Sequence, residues 1–146
     1  MLHNPRLILL VFVLLLSAEF PVSAQTRQAD SLYQLIRNHT GQDTTLVRLL
    51  YNYSLACLAD SPDSGFNYNE KSLNLAMRLN DQYGIIRSLG LVARKHMMRG
   101  EHDSALIFYR KSFDLAQRVG NSEYKIKNSL NLGLIYRTLG INDSAL

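Results

Sequence analysis

A chain of 146 residues with 47% hydrophobic and 19% charged residues is long enough for one modest domain with its own core. Its net charge of +4 is scattered as Arg94-Lys95, Arg110-Lys111, Lys125 and Lys127, and this lack of a dense basic run argues against nucleic-acid binding. One cysteine, Cys57, excludes an internal disulfide framework, and its neighbours Leu55, Ala56 and Leu58 predict a small buried thiol.

The first stretch reads as a leader. Arg6 gives a positive start, Leu7 to Leu16 is an unbroken apolar run, and Val22-Ser23-Ala24 offers the small residues a signal peptidase reads. The run is shorter than the roughly 20 apolar residues that a membrane span needs. Residues 1–24 are therefore expected to be a signal peptide, with the mature chain starting at Gln25 in an exported, periplasmic or secreted, bacterial setting. Membrane attachment would require an uncleaved anchor or a further C-terminal span.

A first helix is predicted from Thr26 to about Asn38 on the pattern Ala29, Leu32, Leu35, Ile36, and residues 25–42 form this helix and its linker. Asp43-Thr44-Thr45 then supplies N-cap oxygens for a second helix with Leu46, Leu49, Leu50, Tyr53, Ala56 and Cys57 on one face. Ser61-Pro62 opens a third, ending near Asn80, with the stripe Tyr68, Ser72, Leu75, Leu79. The fourth, about Tyr83 to Arg99, carries Ile85, Leu89, Val92, Ala93, His96 and Met97, and Gly100 supplies the left-handed turn after it. The fifth shows Ala105, Tyr109, Ser112, Ala116, Val119. The sixth, about Ser122 to Leu139, is apolar on a wide arc, and its residues Leu130, Leu134, Ile135 and Leu139 are expected to lie partly open. A seventh helix begins at Asp143. Strand-like alternation is absent, so the class is all-α, built of antiparallel helix pairs.

These elements repeat. Asp103-Ser104-Ala105-Leu106 returns as Asp143-Ser144-Ala145-Leu146, and a degraded copy stands at Asp63-Ser64-Gly65-Phe66, 40 residues upstream of the first. A fixed period of this size marks stacked supersecondary units. Leu132-Gly133, Tyr136, Gly140 and Ala145 resemble the first half of a tetratricopeptide repeat and the small residue that follows it. Ala105, Tyr109 and Ser112 resemble the second half. Ala93 and His96 depart from the glycine and tyrosine of that pattern, and Tyr53 and Gly65 depart further. The family's unit is about 34 residues, so helices here are expected to be longer. The resemblance implies a right-handed solenoid over residues 43–146, in units of about 43–81, 82–121 and a truncated 122–146.

Long-period copies of this kind are similar to exported sensory regions of bacterial signalling proteins. The resemblance implies a non-enzymatic module for protein–protein interaction. It leaves open the alternative that the chain is the truncated input region of a membrane-bound histidine kinase or similar regulator. A truncated last unit also implies self-association through that end.

Few residues invite a chemical reading. Asp60 to Gly65 imitates the opening of a calcium loop, but Lys71 stands where its bidentate glutamate belongs, and a helix cap explains the run better. His96 and His102, six apart, do not share a helical face for a metal, and His96 is expected inside the fold and His102 in an exposed turn. No nucleophile comes with a base and an orienting group, and neither catalysis nor a cofactor is expected. In the family the first helix of each pair lines the concave surface. Arg87 and Arg94, seven apart on such a helix, and Lys127 with Asn131 on the next, are the expected binding residues. They would offer cations and an amide to an acidic or C-terminal peptide. Ordinary solvated charge is the other reading of the same residues.

Overall fold

The computed structural model describes residues 24–140, which form six helices and no strand. They are α1 (Ala24–Asn38), α2 (Thr44–Cys57), α3 (Pro62–Arg78), α4 (Gln82–Met98), α5 (His102–Arg118) and α6 (Ser122–Thr138). The expected leader up to residue 23 and the seventh helix from Asp143 lie outside the described residues. Ala24, assigned to the leader, already belongs to α1.

Local chemistry sets the helix boundaries at a near-constant interval. Asn80, Gly100, Gly120 and Gly140 all take positive φ, between 54° and 73°, directly after α3, α4, α5 and α6. Glycine adopts this conformation freely and asparagine tolerates it. At three of these joints the next N–H reaches back to the helix: Asp81 to the Ala76 carbonyl, Glu101 to His96 and Asn121 to Ala116. The joint thus satisfies carbonyls the helix end would leave unpaired.

Side-chain caps alternate. The carboxylates of Asp43 and Asp81 and the amide oxygen of Asn121 accept from the N–H groups of Leu46, Gly84 and Tyr124 at 3.0–3.1 Å, so α2, α4 and α6 each start on a capping side chain. Helices α3 and α5 begin after Ser61 and Glu101, neither of which makes a side-chain cap bond.

With connections this short, each helix folds back on its predecessor. Leu46, Val47 and Leu50 of α2 pack with Leu75 and Ala76 of α3. Ile86 of α4 meets Leu115 and Ala116 of α5, and Ala93 of α4 meets Ala105, Tyr109 and Ile135. Helix α2 also touches α4, and α4 touches α6.

A buried polar ladder repeats with the sequence period. Ser72 Oγ donates to the Val47 carbonyl at 2.9 Å and Ser88 Oγ to Ser72 Oγ at 3.3 Å. One unit on, Ser112 Oγ donates to the Ile86 carbonyl at 2.8 Å, and Asn128 Nδ2 to Ser112 Oγ at 2.8 Å. Buried hydroxyls need such partners, and each bond fixes one helix's height against its neighbours.

Some expected faces are rotated. On α4 the structure buries Ile86, Ser88 and Leu91 and leaves Ile85, Leu89 and Val92 half-buried. This helix packs against α2, α3, α5 and α6, so no single stripe describes it. On α6, Leu130 is 69% and Leu134 42% exposed, as expected of an open face, whereas Ile135 is fully buried against the Ala93–Tyr109 cluster. Ile135 points back into the preceding unit. Cys57 is half-buried at the end of α2.

Candidate peptide-binding groove

The groove is built from α2, α4, α5 and α6. Successive turns of a helix place residues i, i+3, i+4 and i+7 on one face. On α4 that rule gathers Arg87, Gly90, Leu91 and Arg94; on α6 it gathers Tyr124, Lys127, Asn128 and Asn131; Tyr51 and Leu55 do the same on α2. These residues, with Tyr109 of α5, surround one cleft of about 240 Å³. All four expected binding residues, Arg87, Arg94, Lys127 and Asn131, stand around it.

Its floor is polar but ordered. Asn128 and Tyr109 are almost fully buried. The Asn128 amide is tied into the Ser112 ladder, so its second helix turn holds Lys127 and Asn131 at a fixed height. Gly90 keeps the wall low: a Cβ there would sit 3.7 Å from Asn128 Oδ1, in ordinary contact.

Cations and aromatic rings alternate around the rim. The Arg87 guanidinium lies 5.3 Å from the Tyr51 ring centre, and Lys127 Nζ lies 4.9 Å from that of Tyr124. Arg87 Nε donates to the Tyr83 carbonyl at 3.3 Å, which orients the fork while leaving its outer N–H groups for a ligand. Lys127 donates to Glu123 at 2.6 Å, and this bond holds its ammonium above the usual lysine pKa. Among the described residues, neither Arg87 nor Arg94 forms a salt bridge with a carboxylate. The groove therefore presents two guanidinium groups that no carboxylate pairs with among the described residues. Burial, together with the neighbouring Tyr124 hydroxyl, raises the Tyr51 phenol well above the ordinary value, against the pull of Arg87 and Arg94. Tyr51 thus stays neutral, a hydroxyl that both donates and accepts.

Sequence reasoning missed Tyr51, Tyr124, Asn128 and Gly90. The signal was present for the last three, which lie one turn from residues already chosen. Tyr51 required knowing that α2 and α4 touch.

The two histidines divide differently. His96 is half-buried, stacked on Phe108 at 5.2 Å between ring centres and paired through Nδ1 with Glu101. His102, expected in an exposed turn, is the first residue of α5 and half-buried; its Nδ1 is buried without a partner among the described residues. The mock calcium loop is likewise helix from Pro62 onward, with Gly65 buried against the Ser54 carbonyl. No protein-family model, no curated protein and no solved structure matches this chain.

Proposed function

We propose that this protein is an exported, non-enzymatic interaction module of tetratricopeptide-repeat type, whose groove binds an acidic or C-terminal segment of a partner protein. The observation that carries the reading is the convergence of Arg87, Arg94, Lys127 and Asn131 on one cleft, with neither arginine in a salt bridge among the described residues. The Arg87 guanidinium beside the Tyr51 ring suits a carboxylate: the fork supplies paired donors, and the ring excludes water from one side. The repeat of helix lengths, turn residues and polar ladder supports the repeat-type architecture. The leader pattern around Arg6 and Leu7 to Leu16 supports export.

The test is fluorescence anisotropy with a labelled acidic peptide that ends in a free carboxylate. Arg87→Ala and Arg94→Ala should each weaken binding about tenfold or more, since each removes a charged hydrogen bond. Added salt should weaken it further. An amidated, uncharged peptide that binds as tightly, or two variants that bind like the parent, would overturn the assignment.

A further inference from the structure

The two inter-unit joints, α3 against α4 and α5 against α6, are copies of one design, and they differ at the positions that fill them. In the second joint Tyr109 is 5% exposed and Ile135 fully buried. Arg110 Nη2 donates to the Tyr136 hydroxyl at 2.7 Å across it. In the first joint the corresponding residues, 40 positions earlier, are Asn69, Lys95, Glu70 and His96. The smaller Asn69 replaces a tyrosine, and Lys95 replaces the buried isoleucine with a chain whose ammonium lies 5.7 Å from the Phe66 ring centre. A cleft of about 190 Å³ results, lined by Phe66, Asn69, Glu70 and Leu73 of α3 and by Val92, Lys95 and His96 of α4. For scale, a cavity of about 150 Å³ accommodates benzene.

Asn69 is 1% exposed; its Nδ2 donates to the Ser88 carbonyl at 3.1 Å, while its Oδ1 is buried without a hydrogen-bond partner among the described residues. That amide orientation leaves an acceptor in want of an N–H or O–H donor. Glu70 and Lys95 line the same cleft, and among the described residues neither forms a salt bridge. His96 is committed to Glu101. The cleft thus combines a buried amide and a carboxylate, an apolar wall of Phe66, Leu73 and Val92, and one cation.

We propose that this cleft is a second ligand site, separate from the arginine groove, which takes an amino-acid residue with a free α-amino group and a branched apolar side chain. The ammonium donates to the Glu70 carboxylate beside the Asn69 amide, the side chain lies on Phe66, Leu73 and Val92, and Lys95 meets a carboxylate where the ligand has one. A free apolar amino acid and the N-terminal residue of a peptide share this chemistry.

Titration of the full chain with L-leucine, L-leucinamide and 4-methylpentanoate, read by methyl and amide NMR, tests the site. Leucine should shift the Leu73 and Val92 methyls and the Asn69 side-chain amide while leaving Tyr124 and Asn131 unmoved. Glu70→Gln, a change at an exposed position, should weaken leucine binding about tenfold or more by removing a charged partner. The double variant Asn69→Tyr with Lys95→Ile, which copies the second joint, should abolish binding and raise thermal stability. Leucinamide binding as well as leucine would assign the natural source to a chain N-terminus; leucine alone would assign it to the free amino acid. The proposal is overturned if millimolar leucine moves no resonance of the cleft. It is equally overturned if 4-methylpentanoate binds as tightly as leucine, or if Glu70→Gln leaves the affinity unchanged.

Discussion

Gly65 and Gly90 both sit inside helices, and replacing each with alanine should move stability in opposite directions. Helix propensity alone favours alanine at either place by about 1 kcal/mol. The repeat itself argues for the change at Gly65, because the corresponding residue one unit on is Ala105, fully buried and accommodated. The structure says otherwise. A Cβ on Gly65 would lie 2.8 Å from the Ser54 carbonyl oxygen and 2.9 Å from Leu58 Cδ2. The leucine tip can rotate away, but the carbonyl belongs to the backbone of α2, so helices α2 and α3 must part by several tenths of an ångström. Overpacking of this kind costs about 1–3 kcal/mol. Set against the propensity gain, Gly65→Ala should lose about 1 kcal/mol net. At Gly90 the nearest atom to an added Cβ is Asn128 Oδ1 at 3.7 Å, so Gly90→Ala should gain up to about 1 kcal/mol. Urea melts of both variants at neutral pH separate the two, provided the slopes match the parent. If Gly65→Ala proves as stabilising as Gly90→Ala, the close approach of α2 and α3 is wrong.

Ala105 is fully buried between Ala93 and Ile135, so Ala105→Leu should cost about 1–3 kcal/mol while Ser104→Leu, at a half-exposed neighbour, costs far less; equal urea midpoints would contradict the register. Asn128→Ala removes the 2.8 Å bond to Ser112 and should lower stability by about 1–2 kcal/mol, with wild-type stability as the contrary result. Burial, with Cys57 adding to it, pushes Tyr53 up to about 12. The folded state therefore holds this proton more tightly than the unfolded chain, and stability should fall as pH climbs from about 10 towards 12. Absorbance titration showing all tyrosines ionising together near 10 in the folded protein would refute it. Asp43 is held below the usual carboxylate value chiefly by the Leu46 N–H, with His39 adding to it. Its contribution is thus present above about pH 4 and lost as pH falls through its folded value, and Asp43→Ala should flatten the acid limb of the stability curve.

The helices were legible because their punctuation is local. Proline at 62, the cap at 43 and the left-handed Gly100 could be read from the sequence, and the caps at 81 and 121 and the left-handed residues 80, 120 and 140, seen in the structure, likewise act within one turn of where they stand. The inward face of a helix was harder to read. Periodicity finds one apolar stripe, whereas α4 contacts four other helices and hides Ser88 and Leu91 as thoroughly as Ile86. Ser88 carries no hydrophobic signal at all; its burial follows from Ser72, on another helix. Arg87 and Arg94 could be chosen from spacing within one helix. Tyr51 and Asn69 could not, since their roles depend on which helices lie across from them.

The repeat separates residues that hold the units together from residues free to differentiate them. Ser72 and Ser112, Leu75 and Leu115, and Ala76 and Ala116 are identical pairs, and all are buried. They set how closely each second helix packs and at what height the ladder bonds form. A change there propagates into every neighbouring helix. Arg87 and Lys127, Glu70 and Arg110, Asn69 and Tyr109, and Lys95 and Ile135 occupy equivalent places but differ in chemistry. The first of these pairs keeps its positive charge and lies on the arginine groove, so that surface runs continuously across units. The other three change charge or volume and lie in the joints, where one copy is closed by Tyr109, Ile135 and the Arg110–Tyr136 bond and the other is left with a cleft. A scaffold whose register rests on small buried residues can alter its joints without altering its stacking. For that reason the filling variant Asn69→Tyr with Lys95→Ile should leave the arginine groove, and whatever binds there, untouched.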